Sequence, residues 1–513
     1  MNLVVQHRHD LINNGDWHLL RRCLNNLPPE TIETNPTLLI TKTTVSAFFN
    51  QHDEARSLLA RAEDLASAIP AGSPESKAVQ AEIALCHCIP QYQAGEAARA
   101  IASAEQALKN LPVEAHSHRG HATIILALAH QTLGDPGAGL GFLSQALKSA
   151  QSLGGTFHTR ILVGFSLLHF MEGDLQSTVQ AANRLLKLGK EYDLPESIAQ
   201  ARSLLGWSHH LRNELDEAEP HLEAAVRGRH LARPHWFPQY AFVLGMIYAA
   251  RNRADEARRM VDRVIHYAME GDLPYGVDLG RALEAELALR QSRTAEASPW
   301  ARAFQFDQPY VAYLFHIPQL TAAKIHLALD TPDSRKKATA LLGWLHSRVL
   351  SLHDKRHQID VSALQALLHD AEGDEPTAFE KLSESLTLAD PGGFIRPFVD
   401  LGPPMADLLK RLSKQKRGDD FIKKLLDAFQ DVSDSRATPT PSSGEQPLIE
   451  PLTNREIEIL DLLAKHMYNR EIADKLFISM ETVKTHLSNI YQKLQVKTRR
   501  EAADQAKALG ILE

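Results

Sequence analysis

Cysteine is scarce, with only Cys23, Cys86 and Cys88 in 513 residues. An odd number without framework spacing argues against a disulfide scaffold. The run Cys86-His87-Cys88 has no second CxxC or HxxxH half, so both thiols read as buried helix residues and no metal site is expected. No apolar run approaches the roughly 20 residues that span a bilayer. The opening "MNLVVQHRHDLINNGDW" has no apolar core of a signal peptide, so a cytoplasmic chain without membrane contact is expected. Aromatic residues are only 6% and β-branched runs are few, which argues against strands; Ala and Leu dominate, which favours helices. A net charge of −7 does not suit a protein that coats nucleic acid along its whole length. Nor is there a nucleophile–base constellation, a paired-carboxylate motif or a metal-ligand spacing, so neither catalysis nor a cofactor is expected.

What the chain does have is an internal repeat. An apolar helix, a turn containing Gly, Asn or Asp, and a second helix opening on a small residue recur in "FFNQHDEARSLLARAEDL", "HHLRNELDEAEPHLEAAV" and "YAARNRADEARRMVDRVI". Aligning the small residue gives Ala55, Ala97, Ala218, Ala257, Ala297, Ala338 and Ala378, with turns at Gly134 and Gly173 filling the gap at the same step of about 40 residues. Alanine suits that position because two antiparallel helices joined by a short turn must approach closely beside it. One pair cannot bury its own apolar face, so the pairs are expected to stack into a tetratricopeptide-like superhelix over 1–425 with a concave surface for a ligand, peptide or protein. Trp207, His209, His210, Tyr240 and Tyr248 are candidates for lining that groove, although their helical spacing fits core or rim better.

Beyond the repeats, "DPGGFIRPFVDLGPPMADLL" breaks helices with Gly and Pro pairs. The stretch 426–448, ending in "ATPTPSSGEQPL", is expected to be a flexible linker because it has little apolar surface to bury. Residues 449–513 then parse into four short helices. Thr453-x-x-Glu456 and Thr498-x-x-Glu501 are capping boxes, Ser479 suits an N-cap, and Gly510 suits a helix end. The first helix has the apolar stripe Ile457, Leu460, Leu463 and Ala464, and the second has Ile472, Ala473 and Leu476. In the third, Val483, Leu487, Ile490, Tyr491 and Leu494 share one face, which leaves Glu481, Lys484, Thr485, Ser488, Asn489 and Gln492 on the other. From Thr482 to Arg500 there are five Lys or Arg residues and no acid. A short helix, a tight turn and a polar, basic second helix give a helix-turn-helix whose second helix fits the major groove of double-stranded DNA.

The motifs "LTNREIEILDLLA", "NREIADKLFIS", "TVKTHLSNIYQKL" and "TRREAADQA" resemble the LuxR-type helix-turn-helix of bacterial transcription regulators. Upstream, "HRHDLINNGDWHLLRRCLNNLP", the helical repeats and "DPGGFIRPFVDLGPPMADLL" resemble the large maltose-activator-like LuxR regulators. The resemblance implies an all-α chain, a tetratricopeptide-like superhelix followed by a small four-helix LuxR-type domain. It implies a sequence-specific regulator, an activator, whose array senses a ligand or protein and which meets promoter DNA as a homodimer together with RNA polymerase. By position it places Lys484, Thr485 and Ser488 at bases, with Lys484 as the reader of guanine. Thr482, His486, Asn489, Lys493, Lys497 and Arg499 fall at phosphates or positioning contacts, with rim packing an equal use of His486. Ala502, Ala503 and Ala506 would form a dimerisation face, with packing inside the domain as the rival use.

Three departures accompany the resemblance. His466 and Gln495 stand where the family has Gly, each costing on the order of 1 kcal/mol if the backbone there is left-handed. No G-x-x-x-x-G-K-[ST] loop is present, since Gly189-Lys190 is followed by Glu191; the nucleotide switch of large family members is therefore not expected within this chain, which is either a natural short form or begins inside a longer gene. The alternative reading is a helical-repeat adaptor that titrates partner proteins and binds DNA weakly; deleting 449–513 would leave its activity intact.

Overall fold

The structure, a computed structural model, describes residues 2–228, 233–271, 273–305, 314–415 and 419–437, and in the C-terminal segment 452, 454–464, 467, 469–476, 480–494, 496, 498–508 and 511. The described residues form helices and their connections, with no strand among them. They separate into two compact units, Met1–Ser435 and Arg436–Glu513.

The first unit is a stack of antiparallel helix pairs such as Pro36–Phe48 with His52–Ser67, Pro195–Leu211 with Leu215–Arg227, and Lys355–Ala371 with Glu375–Ala389. Each pair turns on a residue with positive φ: Gly15, Asn50, Gly95, Gly134, Gly173, Asn213, Asn252, Ser292, Asp330 and Gly373. The closure is chemical as well as steric. At Gly134 the N–H donates to the Gln131 carbonyl (2.8 Å), and that of Asp135 donates to the His130 carbonyl (3.0 Å). At Asn252 the same pair of bonds reaches the Ala249 and Tyr248 carbonyls at 3.2 and 2.9 Å. These bonds satisfy carbonyls that the helix end would otherwise leave open, and the left-handed residue makes them possible.

The small residue after each turn is buried throughout: Ala55, Ala97, Ala218, Ala257, Ala297, Ala338 and Ala378 all lie in the core. Helices approach closely enough elsewhere that a Cβ added at Gly206 would lie 2.4 Å from Leu222 Cγ. The main apolar core draws residues from Ala81 to Ala428, with a second from Ile12 to Ile83 under the first helices and a smaller one of Ala285, Ala288, Ala297, Ala301 and Ile325.

The array also closes on itself. Gln131 donates its side-chain amide to the His353 carbonyl at 2.8 Å, and His353 Nδ1 donates to the Thr132 carbonyl at 3.0 Å. Lys355 Nζ reaches Glu172 at 2.6 Å. The Gly/Pro segment folds inward, with the Ile395 N–H donating to the Leu211 carbonyl at 2.8 Å and Phe394, Arg396 and Phe398 buried. The middle of the superhelix is therefore filled by its own side chains rather than left as an open groove. Trp207, Tyr240, His210 and Tyr248 are buried and His209 is half-buried, so they are core or rim residues. The helix Asp420–Ala437 runs through the first part of the stretch expected as a linker from 426, and Ala428 packs into the core; residues 438–448 lie outside the described residues.

Candidate nucleic-acid interface

The second unit is built from α1 (Asn454–Ala464), α2 (Asn469–Leu476), α3 (Met480–Lys493) and α4 (Arg499–Ala508). Its core joins all four: Ile459, Leu460, Leu462 and Leu463 from α1, Ile472 and Ala473 from α2, Val483, Leu487 and Ile490 from α3 with Leu494 just beyond, and Ala502 and Ala506 from α4. The α3 spacing i, i+4, i+7, i+11 puts its apolar residues on one side, as expected, with Tyr491 half-buried at their edge. Burial raises the Tyr491 phenol above its ordinary pKa, against the opposite pull of Arg499, so it stays neutral at physiological pH. On α1 the core takes Ile459 and Leu462 fully, while Ile457 and Ala464 sit half-buried. The expected stripe was too narrow because α1 is covered from more than one side.

The polar side of α3 is open. Lys484, Thr485, Ser488, Asn489 and Gln492 are all exposed, and Thr482 and His486 are half-buried at the margins. This surface holds a cation, hydroxyls and two amides on one rigid rod, groups that suit base edges and phosphate oxygens.

Two of the residues expected at phosphates, Lys493 and Arg499, have partners inside the domain. Lys493 Nζ donates to Glu456 Oε2 at 3.1 Å, and both side chains are largely covered (15% and 3% exposed). Arg499 reaches back from α4 to Asn469 Oδ1 (3.3 Å), the Leu463 carbonyl (3.5 Å) and the Met467 carbonyl. It thereby binds the end of α1 to the start of α2, a region rich in helix-terminal carbonyls. Arginine, with a fork of donors, is suited to such a knot. The sequence signal for the Lys493–Glu456 pair was Glu456 itself, an acid in the first turn of α1 that reads equally well as a cap.

Ala502 and Ala506 are buried in the domain core, which leaves Ala503 as the partly open member of the proposed dimerisation face. The Glu501 N–H donates to Thr498 Oγ1 at 3.2 Å, one half of the expected capping box. Thr453, His466, Ser479, Gln495, Lys497 and Gly510 lie outside the described residues. Elsewhere, Cys88 is buried and Cys86 half-buried; burial pushes the Cys86 thiol up to about 12 and raises Cys88 as well. Among the described residues no group of three or more His, Cys, Asp or Glu is placed to hold a metal, and no helix is long and apolar enough to cross a membrane.

A helical-repeat array and a four-helix domain with an open polar face on its third helix define a class: helical-repeat arrays joined to a helix-turn-helix. Residues 450–506 match the family described as bacterial regulatory proteins, luxR family. Residues 81–415, more than half of the chain, match the MalT-like TPR region, and the chain belongs to that family. It is similar to the HTH-type transcriptional regulator MalT of Yersinia pestis (strain Pestoides F), with 26% identity over 99% of this chain and 58% of that protein. The MalT of Vibrio cholerae serotype O1 is 23% identical over the same shares. The chain thus spans 58% of the length of these relatives. Among solved structures, a Rap protein complexed with competence and sporulation factor covers 69% of this chain and 99% of its own at 12% identity, with a TM-score of 0.44.

Proposed function

We propose that the chain is a sequence-specific DNA-binding transcriptional activator in which residues 1–425 form the sensor, 426–448 join it onward, and 449–513 engage promoter DNA. The observation that carries this reading is the open polar face of α3 set against a fully packed apolar face on the same helix. Lys484, Thr485 and Ser488 contact bases, with Lys484 directed at guanine; Thr482, His486 and Asn489 position the domain on phosphates. Lys497 is assigned to phosphate by its place in the motif alone. Lys493 and Arg499 support the site by holding its frame, and their positive charge still adds to the field at the duplex.

Binding as a homodimer and contact with RNA polymerase follow from the family likeness, and the protein is assigned to the cytoplasm without catalytic activity. Gel-shift titration against fragments recovered by genomic selection tests the reading. Wild-type protein is expected to bind chosen fragments with an affinity that falls steeply with salt, because phosphate neutralisation releases counterions. Unchanged affinity and base preference in Lys484→Ala would overturn the assignment of α3.

A further inference from the structure

The open side of α3 carries hydrogen-bonding groups, yet the helix begins on an apolar one. Met480 is its first residue and is 48% exposed. Among the described residues of the terminal unit it is the one large apolar side chain left exposed. Val483, Leu487, Ile490 and Leu494 beside it are buried, and Tyr491 is half-buried. A single exposed methionine is ordinary on a protein surface, so its position decides its meaning. Met480, Lys484 and Ser488 stand at i, i+4 and i+8, one row along the helix. With a rise of about 1.5 Å per residue, Met480 sits about 6 Å ahead of Lys484 along the axis.

A recognition helix meets base edges with its N-terminal residues. The major groove presents donors and acceptors at every base pair and one apolar feature, the C5-methyl group of thymine. Lys484, Ser488, Asn489 and Gln492 end in polar atoms, which suit the donors and acceptors; a methyl group calls for an apolar partner. Methionine is such a partner, since its unbranched, polarisable thioether adapts to irregular apolar surface. In the free protein the Met480 side chain meets water, and contact with the thymine methyl removes both from it. Among the exposed residues of α3, Thr485 carries the other methyl group.

We propose that Met480 sets part of the sequence preference by packing on the C5-methyl group of a thymine. That base lies within about two steps of the guanine assigned to Lys484, because the two side chains start about 6 Å apart and a base-pair step is about 3.4 Å. The contact adds an apolar determinant to a face otherwise built from hydrogen-bonding groups. It deepens the assignment of α3 to the major groove and rests on it.

Gel-shift titration of the full chain on a selected fragment tests the contact. The guanine is located as the one whose preference Lys484→Ala abolishes, and each thymine within two steps of it is replaced in turn by deoxyuridine. Deoxyuridine keeps the pairing edge and lacks the C5-methyl group. One such replacement is expected to weaken wild-type binding about three- to tenfold, the scale of one buried methyl group. In Met480→Gln the difference between thymine and deoxyuridine should vanish while the guanine preference is retained, and in Met480→Leu the difference should persist. A urea unfolding curve close to wild type checks that Met480→Gln is folded; should it not be, Met480→Ala carries the same expectation. Selected sites without a thymine in that window, a deoxyuridine scan without effect, or a penalty that survives Met480→Gln overturns the proposal. A penalty that disappears in Thr485→Ser instead assigns the methyl contact to Thr485 and overturns it too. A flat scan beside a guanine preference lost in Lys484→Ala removes Met480 alone and leaves α3 in the groove. An unchanged preference in Lys484→Ala removes the α3 assignment and this contact together.

Discussion

At the scale of single residues, two lysines on one helix differ in their surroundings. Lys484 projects from the open face of α3, whereas Lys493 turns inward to Glu456. On the proposed base contact, Lys484→Ala should change unfolding by less than about 1 kcal/mol, since an exposed pairing contributes little, and cost roughly 1–3 kcal/mol of discrimination at one base pair, read by gel shift on permuted sites. Lys493→Met should do the opposite first. Removing one partner of a largely buried pair is expected to cost on the order of 2–3 kcal/mol in unfolding of the terminal domain, measured by urea denaturation of the full chain. A phosphate contact made by Lys493 alone would leave that unfolding curve in place.

At the scale of elements, the repeat is set by its turns and its close packing. Ser292 is exposed and sits at φ 58°, where most of the other turns use Gly or Asn. Ser292→Gly should stabilise the array by about 1 kcal/mol, visible as a higher melting temperature, because glycine escapes the left-handed penalty. Gly206→Ala acts in the other direction. Its new methyl would meet Leu222 within one helix pair, and the forced shift should cost about 1–3 kcal/mol.

At the scale of the whole molecule, the array buries histidines that stay neutral. His118 is held down to about 4, by burial first and then by His9 and Arg8 against the pull of Glu82. His210 is at about 3, and burial followed by Lys324 keeps His316 well below 6.5. These groups bind a proton more readily when unfolded, so their contribution is complete above about pH 6.5 and is lost as pH falls toward 3–4. Each adds up to about 1.4 kcal/mol per pH unit to that slope. Melting temperature should therefore fall between pH 6.5 and 5, and His210→Gln should flatten the fall. Glu196 acts lower still. Despite its burial, Arg160 and Arg233 hold it at about 2, so its share is lost only below the ordinary carboxylate range.

The pattern of residues along the chain determined the helix pairs, their step, the buried alanines and the two-sided α3, because periodicity and turn chemistry act over a few neighbouring residues. Long-range encounters lay beyond it. That Gln131 meets His353, that Arg396 and Arg290 converge on Asp400, and that Lys493 answers Glu456 depend on how the array curves and how helices cross. The same charged side chain reads in sequence as a solvated group, a phosphate ligand or half of a buried pair. Only the tertiary structure decided which, since burial and the partner brought alongside set the energy of a charge.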